Sequence, residues 1–139
     1  MRKKEFVPYE VALELKELGF DEECLAWFAE TKGIQIAPET YKKWTSKPCN
    51  NSNIVKVFNV DCITAPTFSQ AFRWFREKYK YDITIPPTGD SNGNTIGYYY
   101  EIIFQGWDDG IESESYDTYE EAELECLIKL IEVVKSKQN

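Results

Sequence analysis

At 139 residues the chain has the size of one domain, 1–139, and its net charge of −8 disfavours nucleic acid and anionic membrane as partners. Its composition, 42% hydrophobic and 29% charged, is that of an ordinary globular protein, and no apolar run approaches the length of a membrane span. Histidine is absent, which removes His-based triads, His–Cys dyads and His-ligated metals, and no glycine-rich phosphate loop is present.

Pro8 to Leu18 is the first expected helix. Val11, Leu15 and Leu18 share a face, Pro8 suits the first turn, and Gly19 is placed to end the helix with Phe20 folding back on it. Residues 24–30 are apolar on both faces and read as a strand, with a short helix through 22–30 as the alternative. As a strand they turn through Thr31-Lys32-Gly33 into Ile34–Ala37, giving an N-terminal helix and hairpin over 8–37. Residues 38–53 form a polar loop that strands Tyr41 and Trp44, and Ile54 to Val60 alternates loosely as a further strand.

A helix–strand–strand–strand–helix unit is expected over about 65–136. Its first helix runs from about Pro66 to Lys80, with Thr67 and Gln70 at capping-box spacing. Phe68, Ala71, Phe72, Phe75 and Tyr79 form its apolar stripe, with Trp74 beside it and Arg73, Arg76 and Glu77 opposite. Tyr81–Pro86 and Thr95–Gln105 are strands joined through Asp90-Ser91-Asn92-Gly93, a hairpin signal. In the second strand Ile96, Tyr98, Tyr100, Ile102 and Phe104 face one way, and Gly97, Tyr99, Glu101, Ile103 and Gln105 the other. Asp109-Gly110 turns into an acidic strand, Ile111 to Tyr116. The last helix starts near Thr118, where Glu121 completes capping-box spacing; Leu124, Leu127, Ile128, Leu130, Ile131 and Val134 make its stripe, and Glu125 and Lys129 an exposed pair. These elements predict an α+β two-layer sandwich, an antiparallel sheet with helices packed on one face.

The four cysteines, at 24, 49, 62 and 126, form no C-x-x-C and fit no zinc spacing; Cys24 and Cys126 read as small buried hydrophobes. The basic start, Met1 to Glu5, leads into no signal-peptide core, so reduced thiols in the cytoplasm are expected. Charge is uneven. Arg73, Arg76, Lys78 and Lys80 outweigh Glu77 and Asp82, whereas residues 87–117 carry seven acids and no Lys or Arg.

Three chemistries have matching residue types. Asp90, Asn92, Asn94 and Glu101 occupy positions of a calcium loop, but Thr95 stands where the sharp turn needs glycine, and a hairpin turn explains the same residues. Asp108, Asp109, Glu112, Glu114 and Asp117 have the ligand chemistry for metal-assisted hydrolysis, although alternating acids also solvate and protect a sheet edge. The helix–strand–strand–strand–helix order is that of a double-stranded-RNA-binding domain, yet the last helix begins with Glu120, Glu121 and Glu123 where phosphate contacts need cations. No metal and no cofactor is expected. Trp44, Trp74 and Trp107 are candidate partner contacts, each with the alternative of closing an edge of the core.

Phe6-Val7-Pro8-Tyr9-Glu10 through Gly19-Phe20-Asp21-Glu22, the run Ala65-Pro66-Thr67-Phe68-Ser69-Gln70-Ala71-Phe72-Arg73-Trp74-Phe75-Arg76-Glu77-Lys78-Tyr79, and Tyr116-Asp117-Thr118-Tyr119-Glu120-Glu121-Ala122-Glu123-Leu124 together resemble a family of small uncharacterised proteins of gut Bacteroidetes, their prophages and phages. The resemblance spans most of the chain, least at 38–64. It implies a mobile-element, intracellular setting and carries no catalytic residues to transfer. The expectation is a non-catalytic protein-binding module whose candidate contacts are Trp44, Trp74, Trp107, Glu112 and Glu114. A metal-dependent hydrolase built on the acidic cluster is the alternative, and homodimerisation through an open sheet edge is a third possibility.

Overall fold

The computed structural model describes residues 3–28, 33–36, 50–51, 62–106 and 109–138. It is an α+β fold whose strands pair antiparallel throughout the described residues. The chain divides into two compact units, Met1–Ser69 and Gln70–Asn139.

In the first unit a 3-10 turn at Lys3–Glu5 precedes helix α1, Tyr9–Glu17. Pro8 is the N-cap rather than a first-turn residue. It contributes no side-chain cap, and its carbonyl accepts the Ala12 N–H at 2.9 Å. Val11, Ala12 and Leu15 are buried. The helix stops where Gly19 turns left-handed at φ 97°. Its N–H bonds the Lys16 carbonyl at 3.0 Å, and the Phe20 N–H bonds the Leu15 carbonyl at 2.9 Å. That pair is a Schellman cap, and it carries Phe20 back into the core, where 1% of it is exposed.

Strands β1 (Ala26–Phe28), β2 (Ile34–Ile36) and β3 (Ile63–Ala65) form one sheet in the order β2-β1-β3. The strand reading for 24–30 therefore holds, over its middle three residues. Phe28 faces Ile34 on one side and Ile63 on the other, and α1 packs on β3. The Asn51 amide ties the unit together: it donates to the Phe20 carbonyl and accepts the Thr64 N–H, both at 2.9 Å. The expected strand Ile54–Val60 and nearly all of the loop 38–53 lie outside the described residues.

The Thr64 hydroxyl is buried without a hydrogen-bond partner among the described residues. A buried hydroxyl that makes no bond costs desolvation and returns nothing. Thr64→Val keeps the shape and removes that cost, so the variant should be more stable by about 1 kcal/mol. A urea titration in which Thr64→Val unfolds earlier than the parent would contradict this.

The second unit opens with helix α2, Phe68–Tyr79, whose first two residues fall at the boundary. Phe72, Trp74 and Phe75 are buried while Arg73, Arg76 and Glu77 are exposed. Strands β4 (Tyr81–Thr84), β5 (Pro87–Gly89), β6 (Thr95–Tyr98), β7 (Glu101–Phe104) and β8 (Gly110–Glu112) follow, then helix α3, Tyr119–Lys137. The sheets are β4-β7-β8 and β5-β6.

The expected strand Thr95–Gln105 is thus interrupted at Tyr99 and Tyr100, and its partner is interrupted at Ile85 and Pro86. The register does not change across the interruption. Tyr81 faces Phe104 and Ile83 faces Ile102, while beyond the bend Pro87 faces Tyr98 and Thr88 faces Gly97. The Tyr99 N–H to Pro86 carbonyl bond, 3.1 Å, bridges the gap. Both sheets are consecutive stretches of one bent hairpin. Pro86 and Pro87 lack N–H donors, which accounts for the break in the ladder there.

On the other side of the hairpin, Glu101 faces Glu112 while Tyr98 bridges Tyr116. Three steps on one strand oppose four on the other, so one extra residue bulges between Glu112 and Tyr116. The Ser113 hydroxyl fills in by accepting the Tyr100 N–H at 2.8 Å.

Helix α3 starts as its spacing predicts: Thr118 Oγ1 accepts the Glu121 N–H at 3.1 Å. It packs on β6 and β7. Its fully buried line is Ala122, Cys126, Leu127, Leu130, Ile131 and Val134, with the expected Leu124 and Ile128 only half-buried at its margin. Lys129 pairs with Glu132 at 3.3 Å, one turn beyond it, rather than with the expected Glu125. Burial pushes the Cys126 thiol up to about 12, the more so with Glu123 nearby, so it is an inert core group.

Candidate functional site

The strand pairing gives the second unit two unlike faces. One face carries Tyr81, Ile83, Tyr100 and Ile102 inward. The other carries Tyr99, Glu101, Ile103 and Gln105 on the middle strand, flanked by Asp82 and Thr84 on β4 and by Gly110 and Glu112 on β8. Period-two alternation separates the sets, as the sequence indicates.

On this second face Ile103 is 43% exposed. It lies between Asp82 and Gly110, and Gly110 presents no side chain to cover it. The glycine is required there, because a Cβ would come within 2.8 Å of the Ile102 carbonyl oxygen. The result is an open groove of about 260 Å³ running beside Ile103, with Glu101 and Glu112 at its rim.

Those two carboxylates are direct cross-strand partners. Like charges in that position repel. Among the described residues neither forms an ion pair. Glu101, first of all through hydrogen bonding, holds the Tyr99 phenol beside it above its usual range. Asp82 is held at the far end by Gln105 Nε2 at 3.1 Å. The face is therefore acidic, open to water and marked by one exposed apolar side chain.

Glu112 and Glu114 are both exposed, Glu112 on this face and Glu114 in the bulge beyond β8. Trp74 is elsewhere. It is only 8% exposed, edge-on to Phe75 at 5.0 Å and to Tyr79 at 5.5 Å, with the Lys78 ammonium 4.9 Å above its ring. Its indole belongs to an aromatic cluster and offers little area for contact. Trp44 and Trp107 lie outside the described residues. Ile103 was not singled out in the sequence, and Glu101 and Gly110 were read there for other roles, a calcium-loop position and a tight turn; the signal for Glu101 and Ile103 was their shared place on the polar side of the alternating run.

The calcium-like residues are occupied in a turn. Asp90 Oδ1 accepts the Asn92 and Asn94 N–H groups, each at 2.9 Å, and Gly93 adopts φ 83°. These bonds, first of all that from Asn94, hold the Asp90 carboxyl below its usual range. Glu101 sits on β7, on the groove rim. Among the described residues no three Cys, Asp or Glu side chains converge in a group able to hold a metal ion, and no helix is long and apolar enough to cross a membrane.

No protein-family model matches the chain, nor does any curated protein or solved structure.

Proposed function

We propose that the chain is a non-catalytic protein-binding module that takes a basic partner segment on the acidic face of its second unit. The observation that carries this reading is the Glu101–Glu112 pair, set side by side next to the exposed Ile103, with no cation paired to either carboxylate among the described residues. Such an arrangement costs stability in the free protein. An arginine or lysine from a partner relieves the repulsion, and an apolar residue next to it covers Ile103. Glu114 extends the acidic rim. The outer side of β8, unpaired among the described residues, lets an extended partner strand align with it. Trp44 and Trp107 remain candidate contacts, and the phage or prophage setting rests on the three resembling segments alone.

The test uses short peptides alternating arginine with leucine, against peptides alternating glutamate with leucine. The arginine peptides should bind, and Glu112→Lys with Glu114→Lys should weaken them about tenfold or more at moderate salt. Glu77→Lys with Glu120→Lys makes the same charge change off this face and should do much less. Equal losses in the two double variants would mean that only overall charge matters, and the assignment would fail. In the same material Mg²⁺, Mn²⁺ and Ca²⁺ should leave the melting temperature unchanged. A rise of several degrees would favour the carboxylate-cluster hydrolase instead.

A further inference from the structure

At one end of the second unit, where α2 and α3 both finish, there is a pocket of about 370 Å³. That volume lies within the range of small-molecule sites. Three aromatic side chains, Tyr79, Tyr81 and Phe104, contribute to its wall. Tyr79 and Tyr81 are stacked at 5.9 Å, and Phe104 meets Tyr81 edge-on at 4.8 Å. Two lysines line the same space. Lys137 Nζ donates to the Tyr81 hydroxyl at 2.9 Å and stands 5.0 Å from the Phe104 ring centre. Lys80 has no ion-pair or hydrogen-bond partner for its ammonium among the described residues. Among the described residues Asp109 is the one carboxylate on the lining.

Lysines near helix ends are favoured by the exposed carbonyls of the last turn, where Lys137 lies in α3. That does not account for Lys80. It follows α2 in the left-handed conformation, φ 64°, where its N–H bonds the Arg76 carbonyl and its own carbonyl accepts the Gln105 N–H. Glycine is the residue that makes such a cap without steric cost. A lysine there costs the fold stability and places a cation on an aromatic pocket.

We propose that this pocket binds a small monoanion carried on a flat ring, of the aromatic carboxylate class. The ring lies against the aromatic wall and the carboxylate meets the two ammonium groups. Among the described residues Lys80, Lys137 and Asp109 give the lining a net charge of +1, which one carboxylate neutralises and a dianion overshoots. A hydrogen-bond donor on the ring, an amino or hydroxyl group, suits Asp109. This site is separate from the acidic groove, and neither proposal depends on the other.

The experiment titrates the full chain with 4-aminobenzoate, benzoate, benzamide, acetate and benzylammonium while recording amide NMR spectra. The two aromatic carboxylates should shift the amides of residues 79–81, 104–105 and 137. Benzamide, which lacks the charge, and acetate, which lacks the ring, should bind at least about tenfold more weakly. Lys137→Gln should weaken benzoate severalfold. Lys80→Gly should also weaken benzoate while its melting temperature stays level or rises, a combination that general damage to the fold cannot produce. The proposal is overturned by any of four results: no shifts at these residues up to millimolar benzoate, benzamide binding as well as benzoate, benzylammonium binding best, or both lysine variants binding like the parent.

Discussion

Gly97→Ala should destabilise the protein by roughly 3 kcal/mol, more than a surface substitution of this size can. Gly97 is buried between Thr88 of β5 and the segment that ends at Tyr116. A Cβ there would stand 2.5 Å from Ser115 Oγ and 2.7 Å from the Tyr116 carbonyl oxygen. The hydroxyl can rotate away, which sacrifices its 3.2 Å bond to Thr88. The carbonyl cannot, because it accepts the Tyr98 N–H at 2.8 Å and the Tyr116 N–H returns to Tyr98 at 2.6 Å. Relief of the clash therefore opens two backbone bonds of about 1 kcal/mol each, on top of the strain. Ser115→Ala in the same chain should recover only a small part of the loss. Hydrogen exchange should quicken first at Tyr98 and Tyr116. A Gly97→Ala protein with the parent's urea midpoint would mean that the two segments do not approach this closely.

Phe75→Ala should cost about 3–5 kcal/mol, the range for removing a fully buried ring. None of Phe75 is exposed. It touches Trp74 at 5.0 Å and Tyr79 at 5.7 Å, and Tyr79 leads on through Tyr81 to Phe104. These rings carry packing from α2 into the first strand of the hairpin. Truncation removes the transfer energy of the ring and leaves a void that its rigid aromatic neighbours fill poorly. Phe75→Leu should cost roughly half as much, since most of the volume remains. Trp fluorescence during urea unfolding measures both, and an alanine variant within 1 kcal/mol of the parent would contradict the packing described.

Local rules were the parts of this fold that could be read in advance. Gly19 after an apolar helical run, Thr118 three residues before Glu121, and Asn-Gly between alternating strands each act within a few residues, and each appears where its chemistry puts it. Burial at Cys24 and Cys126 followed from their apolar neighbours. What depends on distant pairing was hidden. Thr95–Gln105 alternates without interruption, so nothing local marks the bend at Tyr99; the cause lies in the partner strand, at Pro86 and Pro87. Gly97 looked like a neutral strand residue and Gly110 like half of a tight turn, because what each must avoid is over twelve positions or a strand away. Trp74 sits beside the centre of its stripe by helix geometry, yet the buried arc of α2 is wide enough to include it.

The candidate surfaces show the same division. Acidity at Glu112 and Glu114 is a matter of composition. That Glu112 meets Glu101 depends on register, which the bulge before Tyr116 helps to set. The aromatic pocket joins residues from positions 79 to 137, a convergence that no short window displays.

The register that continues across the bend of the hairpin, as far as Thr88 and Gly97, determines where this chain can change in length. One residue inserted at Tyr99 would invert inside and outside for the strand positions before it, turning Tyr98 outward, and one inserted at Ile85 would do the same to Pro87 and Thr88. The Asp90–Asn94 tip is free of that constraint, because its residues are exposed and its bonds close on themselves. A foreign epitope or fluorescent tag spliced after Ser91 would therefore leave both proposed surfaces in register, which makes that loop the natural handle for isolating whatever the protein holds.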